Sequence, residues 1–399
     1  MGFLLQIVFG MVSGVIVGII LGPEHTDFIN TWIVPIGTIF LRLLKLIIVP
    51  LVVSSLIVGV TGLGDIRKFG RIGGKTFALY MLTTIFAVSL GMGIGVIFEP
   101  GVGLNLHTSG QVALKEMPSI SEMIIDIFPS NPIQSMVEEN MMQLIVFSMA
   151  VGIGVLACGE KAKLIADFVG QVAKICYKVV GGIMKVAPLG VFALIVPVVA
   201  VNGTDVFMPL ISIIVCFYLA ILLHGIIVYG CLLKFIVRIN PFKYIKKVFP
   251  AVAFAFSSCS SGATLPVSIT YCRWMNISRE VASFVLPLGA TINMDGTAIY
   301  LGLGAVFIAQ VYGIEFFAFH YLYIAFMSTM ISIGASGIPG LGIILLTMIS
   351  SAMGLPLEGV ALIAGIDRIM DMGHTALNVT GDMVVCGVIA KSEGETLNV

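Results

Sequence analysis

Asp367, Asp371, Asn378 and Asp382 lie in the run GIDRIMDMGHTALNVTGD, between the apolar stretches ALIAG and VVCGVIA. A carboxylate at the centre of a bilayer costs roughly 3 kcal/mol or more. Acids in such a run therefore need a cavity, a cation, or a cationic group on a bound ligand. Asp371, His374, Thr375, Asn378 and Asp382 follow the i, i+3, i+4, i+7, i+11 spacing of one helical face. Asp367 extends that stripe by one turn. A polar stripe on an apolar helix faces the protein interior. The chemistry it offers is cation coordination and capture of a charged small molecule. Arg368, three residues before Asp371, is expected to pair with it; the alternative is a side chain that snorkels to the surface.

A second group sits in TINMDGTA, Thr291–Ala298. Asn, Asp and Gly together disfavour a regular helix. An unwound stretch frees backbone carbonyls, which are hard ligands for a small cation, and Asp295 supplies the compensating charge. Tyr80, Thr83 and Thr84 place hydroxyls on nearly one face of an earlier span and gain meaning beside Asp295. The bland alternative for this region is a kink with a paired aspartate.

The elements that must carry these residues are membrane helices. Of 399 residues, 58% are hydrophobic and 11% charged, against about 25% charged in soluble domains. The mean hydropathy is +1.11. This composition is that of a polytopic membrane protein. The formal net charge is +0, so no nucleic-acid partner is implied. The seven cysteines form no CxxC pair, and packing is the expected role for most of them. The N-terminal run lacks a basic segment and a small-residue cleavage site and reads as a first span.

About eight spans are predicted: Leu4–Leu21, Trp32–Val60, Phe77–Ile97, Met142–Leu156, Val169–Val199, Phe207–Leu233, Ala282–Val311 and Ala361–Ala390. Two other apolar stretches, Val248–Ile269 with FSSCSSGATLP and Phe326–Ile349 with SIGASGIPGLG, are broken near the middle by Ser, Gly and Pro. Irregular backbone at membrane depth occurs only where it is buried in protein or lines a cavity, so both are expected to be re-entrant helical hairpins rather than kinked spans. Arg67, Lys68, Arg71 and Lys75 follow the second span; Lys234, Arg238, Lys243, Lys246 and Lys247 follow the sixth. By the positive-inside rule both termini are then cytoplasmic, and the two hairpins enter from opposite sides. Residues 99–131 form a long external connection.

SSGATLP, NMDGT, SGIPG and DMGHTALNVTGD, with IFPSNPIQSM in the external connection, make the chain resemble the glutamate transporter family, the dicarboxylate/amino acid:cation symporters, from the first span to the last. The resemblance implies an all-α elevator-type transporter in the plasma (inner) membrane, assembled as a homotrimer. A scaffold of roughly residues 1–62 and 134–203 would hold the trimer. A transport region of roughly 74–100 and 204–393 would move across the bilayer, with the second hairpin as its gate.

Carried over residue by residue, the resemblance implies three sodium sites. One uses Asp382 with backbone oxygens of Gly289, Asn293 and Asn378. A second uses backbone oxygens of Thr291, Ser332, Ile333 and Ala335; Ala335 stands where the family has Thr. The third uses Tyr80, Thr83, Thr84, Asn293 and Asp295. Oxygen ligands with carboxylates suit Na⁺. For the substrate, Asp371 would hold an α-amino group, and Asn378, Ser261 and hairpin backbone near Ile338 an α-carboxylate. Ser260, Thr297, Gly342 and Thr375 complete the pocket. The pattern favours an amino acid over a plain dicarboxylate.

Two positions depart from the family pattern. His374 stands where members selective for acidic amino acids have Arg. A guanidinium is always charged and bidentate, whereas His has a reference pKa of about 6.5. His374 therefore marks either a small neutral amino acid or an acidic substrate, amino acid or dicarboxylate, with proton coupling through the imidazole. It is the only histidine expected in a site. Cys259 stands where many prokaryotic members carry an Arg. A channel needs a ring of filter groups, which the sequence lacks. A serine hydrolase using Ser260 or Ser261 needs a base within hydrogen-bond reach, so no enzyme is expected.

Overall fold

The computed structural model describes residues 3–61, 66–104, 125, 128–138, 140–332 and 340–398. Among them every regular element is helical. Helices α1 (Phe3–Leu21), α2 (Val34–Thr61), α3 (Ile66–Phe98), α4 (Met141–Cys158), α5 (Lys163–Asn202) and α6 (Phe207–His224) fall on the first six expected spans. The α6 rod continues through two π-helical turns, Gly225–Tyr229 and Leu232–Val237. Among the described residues, five helical stretches are long and apolar enough to cross a membrane; Phe9–Leu21 and Lys185–Val201 are shorter apolar helices.

Where the sequence breaks an apolar run with Ser, Gly or Pro, the chain turns. Helix α7 (Pro241–Ser258) starts at a cap in which the Asn240 side chain accepts from Phe242 N, with Pro at the first helical position. It ends at Cys259, which adopts the left-handed conformation (φ 51°). Ser260 then caps α8 (Ser261–Trp274) by accepting from Ala263 N. The two helices pack on each other, as a hairpin requires and a kinked rod does not. Helices α11 (Ala318–Ser332) and α12 (Leu341–Met353) likewise pack together. The joining residues 333–339, which include Ile333, Ala335 and Ile338, lie outside the described residues, as does most of the 99–131 connection.

The seventh expected span is two helices. Helix α9 (Arg279–Ile292) stops at Asn293 (φ −89°, ψ 92°), and α10 (Asp295–Val311) begins two residues later. Every residue of α10 except Gln310 is buried. Helix α13 (Leu357–Ser392) has no exposed residue between Gly359 and Ala390. A helix enclosed on all sides is the core of its domain. The two elements that carry the polar motifs are thus the two that the chain surrounds most completely. Helix α13 packs against α6, α7, α8, α9, α10 and α12, and α3 lies along α10. Helices α1 and α2 each pack on α5, with α4 on α2.

The C-terminal tail ties one end of this assembly. Glu393 accepts from Lys75 at 3.0 Å and pairs with Arg71, both on α3. Glu395 accepts from Ser278 N at 2.8 Å, and Asn398 N donates to Met275 O at 2.9 Å. Lys247 on α7 donates to Asn398 O at 3.1 Å.

Candidate functional site

The break between α9 and α10 lies against the middle of α13. Asn293, in the break, donates Nδ2 to Asp382 Oδ1 (2.9 Å) and to Asn378 O (3.3 Å). Both partners are acceptors, which fixes the orientation of the amide. Its oxygen, Oδ1, is buried and has no hydrogen-bond partner among the described residues. Gly289 lies one turn before, and its lack of a side chain is what admits Asp382: a Cβ there would collide with Asp382 Oδ1 and the Tyr80 hydroxyl. Asp382, Asn293, Gly289 and Asn378 are therefore brought together as one cluster. Thr291 turns its hydroxyl onto Leu288 O (2.9 Å) and Ser332 onto Thr329 O (2.7 Å). Their expected companions Ile333 and Ala335 are outside the described residues.

At the start of α10, Asp295 is fully buried. Its Oδ1 accepts from Thr84 (2.7 Å) and Thr83 (3.2 Å), as their spacing on α3 suggested. Its Oδ2 accepts from Tyr229 (2.7 Å) and faces His224 Nε2 (3.2 Å). Sequence reasoning missed both, and the expectation that His374 is the only histidine at a site is corrected here. The signal was present: His224 is an ionisable group within an apolar span, which is by default a functional candidate. The Tyr80 hydroxyl goes elsewhere than expected. Its ring spans the gap to α9 and donates to Val285 O (3.0 Å), leaving only the Tyr80 carbonyl on the threonine side, where it accepts from Thr83 (3.1 Å).

The third cluster lies toward the second hairpin. Asp371 is 1% exposed. Its Oδ2 accepts from Gly340 N (3.1 Å), at the start of α12, and from Arg368 (3.3 Å); Thr375 donates to Oδ1 (3.4 Å). The Arg368–Asp371 pair expected from sequence is thus formed. His374 packs beside Tyr300, and Gly342 faces both rings. Its Nδ1 is 3.5 Å from the Thr297 hydroxyl. Asn378 Nδ2 donates to that hydroxyl oxygen (3.2 Å), so the hydroxyl hydrogen is available to His374 Nδ1. With the hydroxyl donating to Nδ1, the imidazole proton sits on Nε2. Nε2 lies 3.2 Å from Asp371 Oδ1 but without the alignment of a hydrogen bond, and it has no partner among the described residues. Asn378 also accepts from Gly296 N (2.7 Å), locking α13 to the first turn of α10. Gly296 permits this contact, because any Cβ would enter the His374 backbone. Ser261 is buried at the start of α8, and Ser260 is occupied as its cap. Asp367, one turn above, accepts from Tyr300 (2.8 Å), a partner not foreseen.

These clusters put buried carboxylates, and an amide oxygen and an imidazole nitrogen without partners among the described residues, at the centre of an apolar helical protein. Such groups can coordinate a cation and hold a small zwitterion or anion. The sodium:dicarboxylate symporter family matches residues 3–392. The chain is similar to the proton/sodium-glutamate symport protein of Bacillus subtilis (strain 168), 35% identical over 402 residues that cover 98% of this chain and 93% of that protein. It is similar to the proton/glutamate-aspartate symporter of Escherichia coli (strain K12), 34% identical, covering 97% and 92%. It is also similar to a C4-dicarboxylate transport protein of Bacillus subtilis (strain 168), 30% identical, covering 96% and 93%. The chain belongs to the sodium:dicarboxylate symporter family, membrane carriers and not enzymes, which move a substrate together with a coupling ion.

Proposed function

We propose that the chain is a sodium-coupled symporter that imports a small amino acid. The observation that carries this reading is Asn293 Oδ1, a buried acceptor without a donor among the described residues, beside the carboxylate of Asp382. Leaving such an atom unmatched costs about 1–3 kcal/mol. A hard cation at Asp382 takes that oxygen as a ligand together with the carboxylate. The oxygens that would hold the ion are those of Asp382, Asn293, Gly289 and Asn378. A second ion would use carbonyls at Thr291 and Ser332 with the hairpin residues that follow.

The substrate would lie between α13 and the two hairpin tips. Asp371 would take the ammonium, with Thr375 beside it. Asn378, Thr297 and Ser261 would hold the α-carboxylate. Because Asp371 also accepts from Gly340 N, an ammonium on that carboxylate would bear directly on the entry to α12, which supports the second hairpin as a gate. The His374 Nε2–H would meet the substrate side chain. A neutral imidazole suits a hydroxyl or a small apolar group better than a carboxylate.

A second reading has one observation in its favour. Arg368 brings a fixed positive charge to 3.3 Å from Asp371, which would ease entry of an acidic substrate of the kind named for the similar glutamate and dicarboxylate carriers. Proton coupling through His374 belongs to that reading. The protein would work in the inner membrane with both termini cytoplasmic, as a homotrimer moving by the elevator mechanism. Radiolabelled uptake into proteoliposomes under an inward Na⁺ gradient tests both readings, with serine, alanine, glutamine, aspartate and glutamate compared at pH 5.5 and 7.5. Sodium-dependent uptake of a neutral amino acid at both pH values supports the first. Aspartate or glutamate uptake that rises at the lower pH replaces it with the second.

A further inference from the structure

Asp295 differs from the other buried acids in how completely it is satisfied. A carboxylate has about four lone-pair directions. Thr84 donates to Oδ1, where Thr83 shares its single hydroxyl proton between Oδ1 and Tyr80 O, and Tyr229 and His224 face Oδ2. His224 Nδ1 has no partner among the described residues, so the tautomer with its proton on Nε2 is the one that makes a hydrogen bond. The opposite tautomer would bury an idle N–H and turn a lone pair toward the carboxylate. His224 and Tyr229 stand edge to face with ring centroids 4.9 Å apart, and both are buried.

The backbone is built for this arrangement. Residues five apart in an α-helix diverge by about 140°, at about 100° per residue. Between His224 and Tyr229 the chain makes a π-turn, with Gly230 N donating to Gly225 O, which winds Tyr229 back to the His224 side. Such turns inside α-helices are uncommon and are found at functional sites. Gly381 on α13 makes room for the Tyr229 hydroxyl, since a Cβ there would collide with it.

We propose that His224 is a positioning residue that, with Tyr229, closes Asp295 to cations, so that this chain binds one sodium ion fewer than its three sets of oxygen ligands would allow. Asn293 Oδ1 then serves the ion at Asp382 alone. The inference rests on the sodium-coupled reading above.

Equilibrium dialysis of the purified full-length protein against radiolabelled sodium tests it, with sodium alone as the probe. Asp295→Asn is expected to bind as many sodium ions as the wild type. His224→Ala, which leaves Oδ2 open, is expected to bind one more, and His224→Gln, which keeps an N–H donor, to match the wild type. Loss of one ion in Asp295→Asn overturns the proposal, as does an unchanged count in a folded His224→Ala. The near-isosteric Asp295→Asn keeps the test decisive if His224→Ala fails to fold. Asp382→Asn must lose one ion. If it does not, the sodium reading of the Asp382 cluster fails, whatever the Asp295 result.

Discussion

Replacing Gly289 by Ala puts one methyl group into the cluster assigned to the coupling ion. The added Cβ would overlap Asp382 Oδ1 and crowd the Tyr80 hydroxyl. Tyr80 is held on Val285 O and cannot easily withdraw, so the carboxylate must. An oxygen retreating from about 2.4 Å, an ordinary ligand distance, to about 3.4 Å from a unit charge loses about 2 kcal/mol at an effective dielectric of about 20. That is about thirtyfold in sodium affinity. The assay is uptake into proteoliposomes as a function of external sodium, read as the half-saturating concentration. Gly93→Ala on α3 is the control, because a Cβ there meets nothing within 4 Å. It leaves sodium dependence unchanged and, on helix propensity alone, is neutral or slightly stabilising. A folded Gly289→Ala protein with a half-saturating sodium concentration within about threefold of wild type refutes the assignment of Asp382 to the ion.

Three further outcomes are expected. His374→Arg brings a bidentate carboxylate partner into the pocket and raises the aspartate-to-serine uptake ratio about tenfold or more, from about 1.5–3 kcal/mol for a charged hydrogen bond; an unchanged ratio in competition uptake removes His374 from the pocket. Tyr300→Phe leaves Asp367 without its 2.8 Å donor and lowers stability by about 1–3 kcal/mol, read by thermal unfolding in detergent; an unshifted midpoint means that Asp367 finds another donor. Glu393, outside the last helix, is held below the usual carboxylate range, first by the Lys75 hydrogen bond and then by Arg71. Its contribution is therefore present above that range and lost as pH falls through the depressed value. The unfolding midpoint of the wild type should fall in acid more than that of Glu393→Gln, by a small amount because Arg71 is mostly exposed. Parallel curves for the two would dismiss the tail as a tie.

What the sequence made legible was whatever follows from period and composition. The spans were visible because twenty apolar residues have few other uses. The stripe on α13 was visible because Asp371, His374, Thr375, Asn378 and Asp382 keep helical spacing, and the expected local pair, Arg368 with Asp371, is three residues apart. The break at Asn293–Met294 and the turn at Cys259–Ser260 were announced by residues that cap or interrupt helices. Contacts between elements were legible only where one partner already stood out. Thr83 and Thr84 were matched to Asp295 because an aspartate in an apolar span demands donors, yet Tyr80, on the same face, sends its hydroxyl to another helix.

The donors that sequence spacing hides are those whose backbone leaves the α-helical period. On a regular helix, His224 and Tyr229 point apart, and neither suggests the other. The π-turn between them changes that geometry without any Pro or polar run to mark it; GIIVY reads as ordinary span. If His224 and Tyr229 close Asp295 to cations, the same shift decides its chemistry. Had α6 stayed α-helical beyond His224, one donor would swing away, Oδ2 would keep a free direction, and a third cation could be held there. Two relatives with the same Asp and threonines can thus differ in ion count through the winding of a helix that contributes no carboxylate. Ligand residues carried over from a family indicate where a cation can bind. Whether it does depends on which donors the neighbouring helices have already spent on the same oxygens.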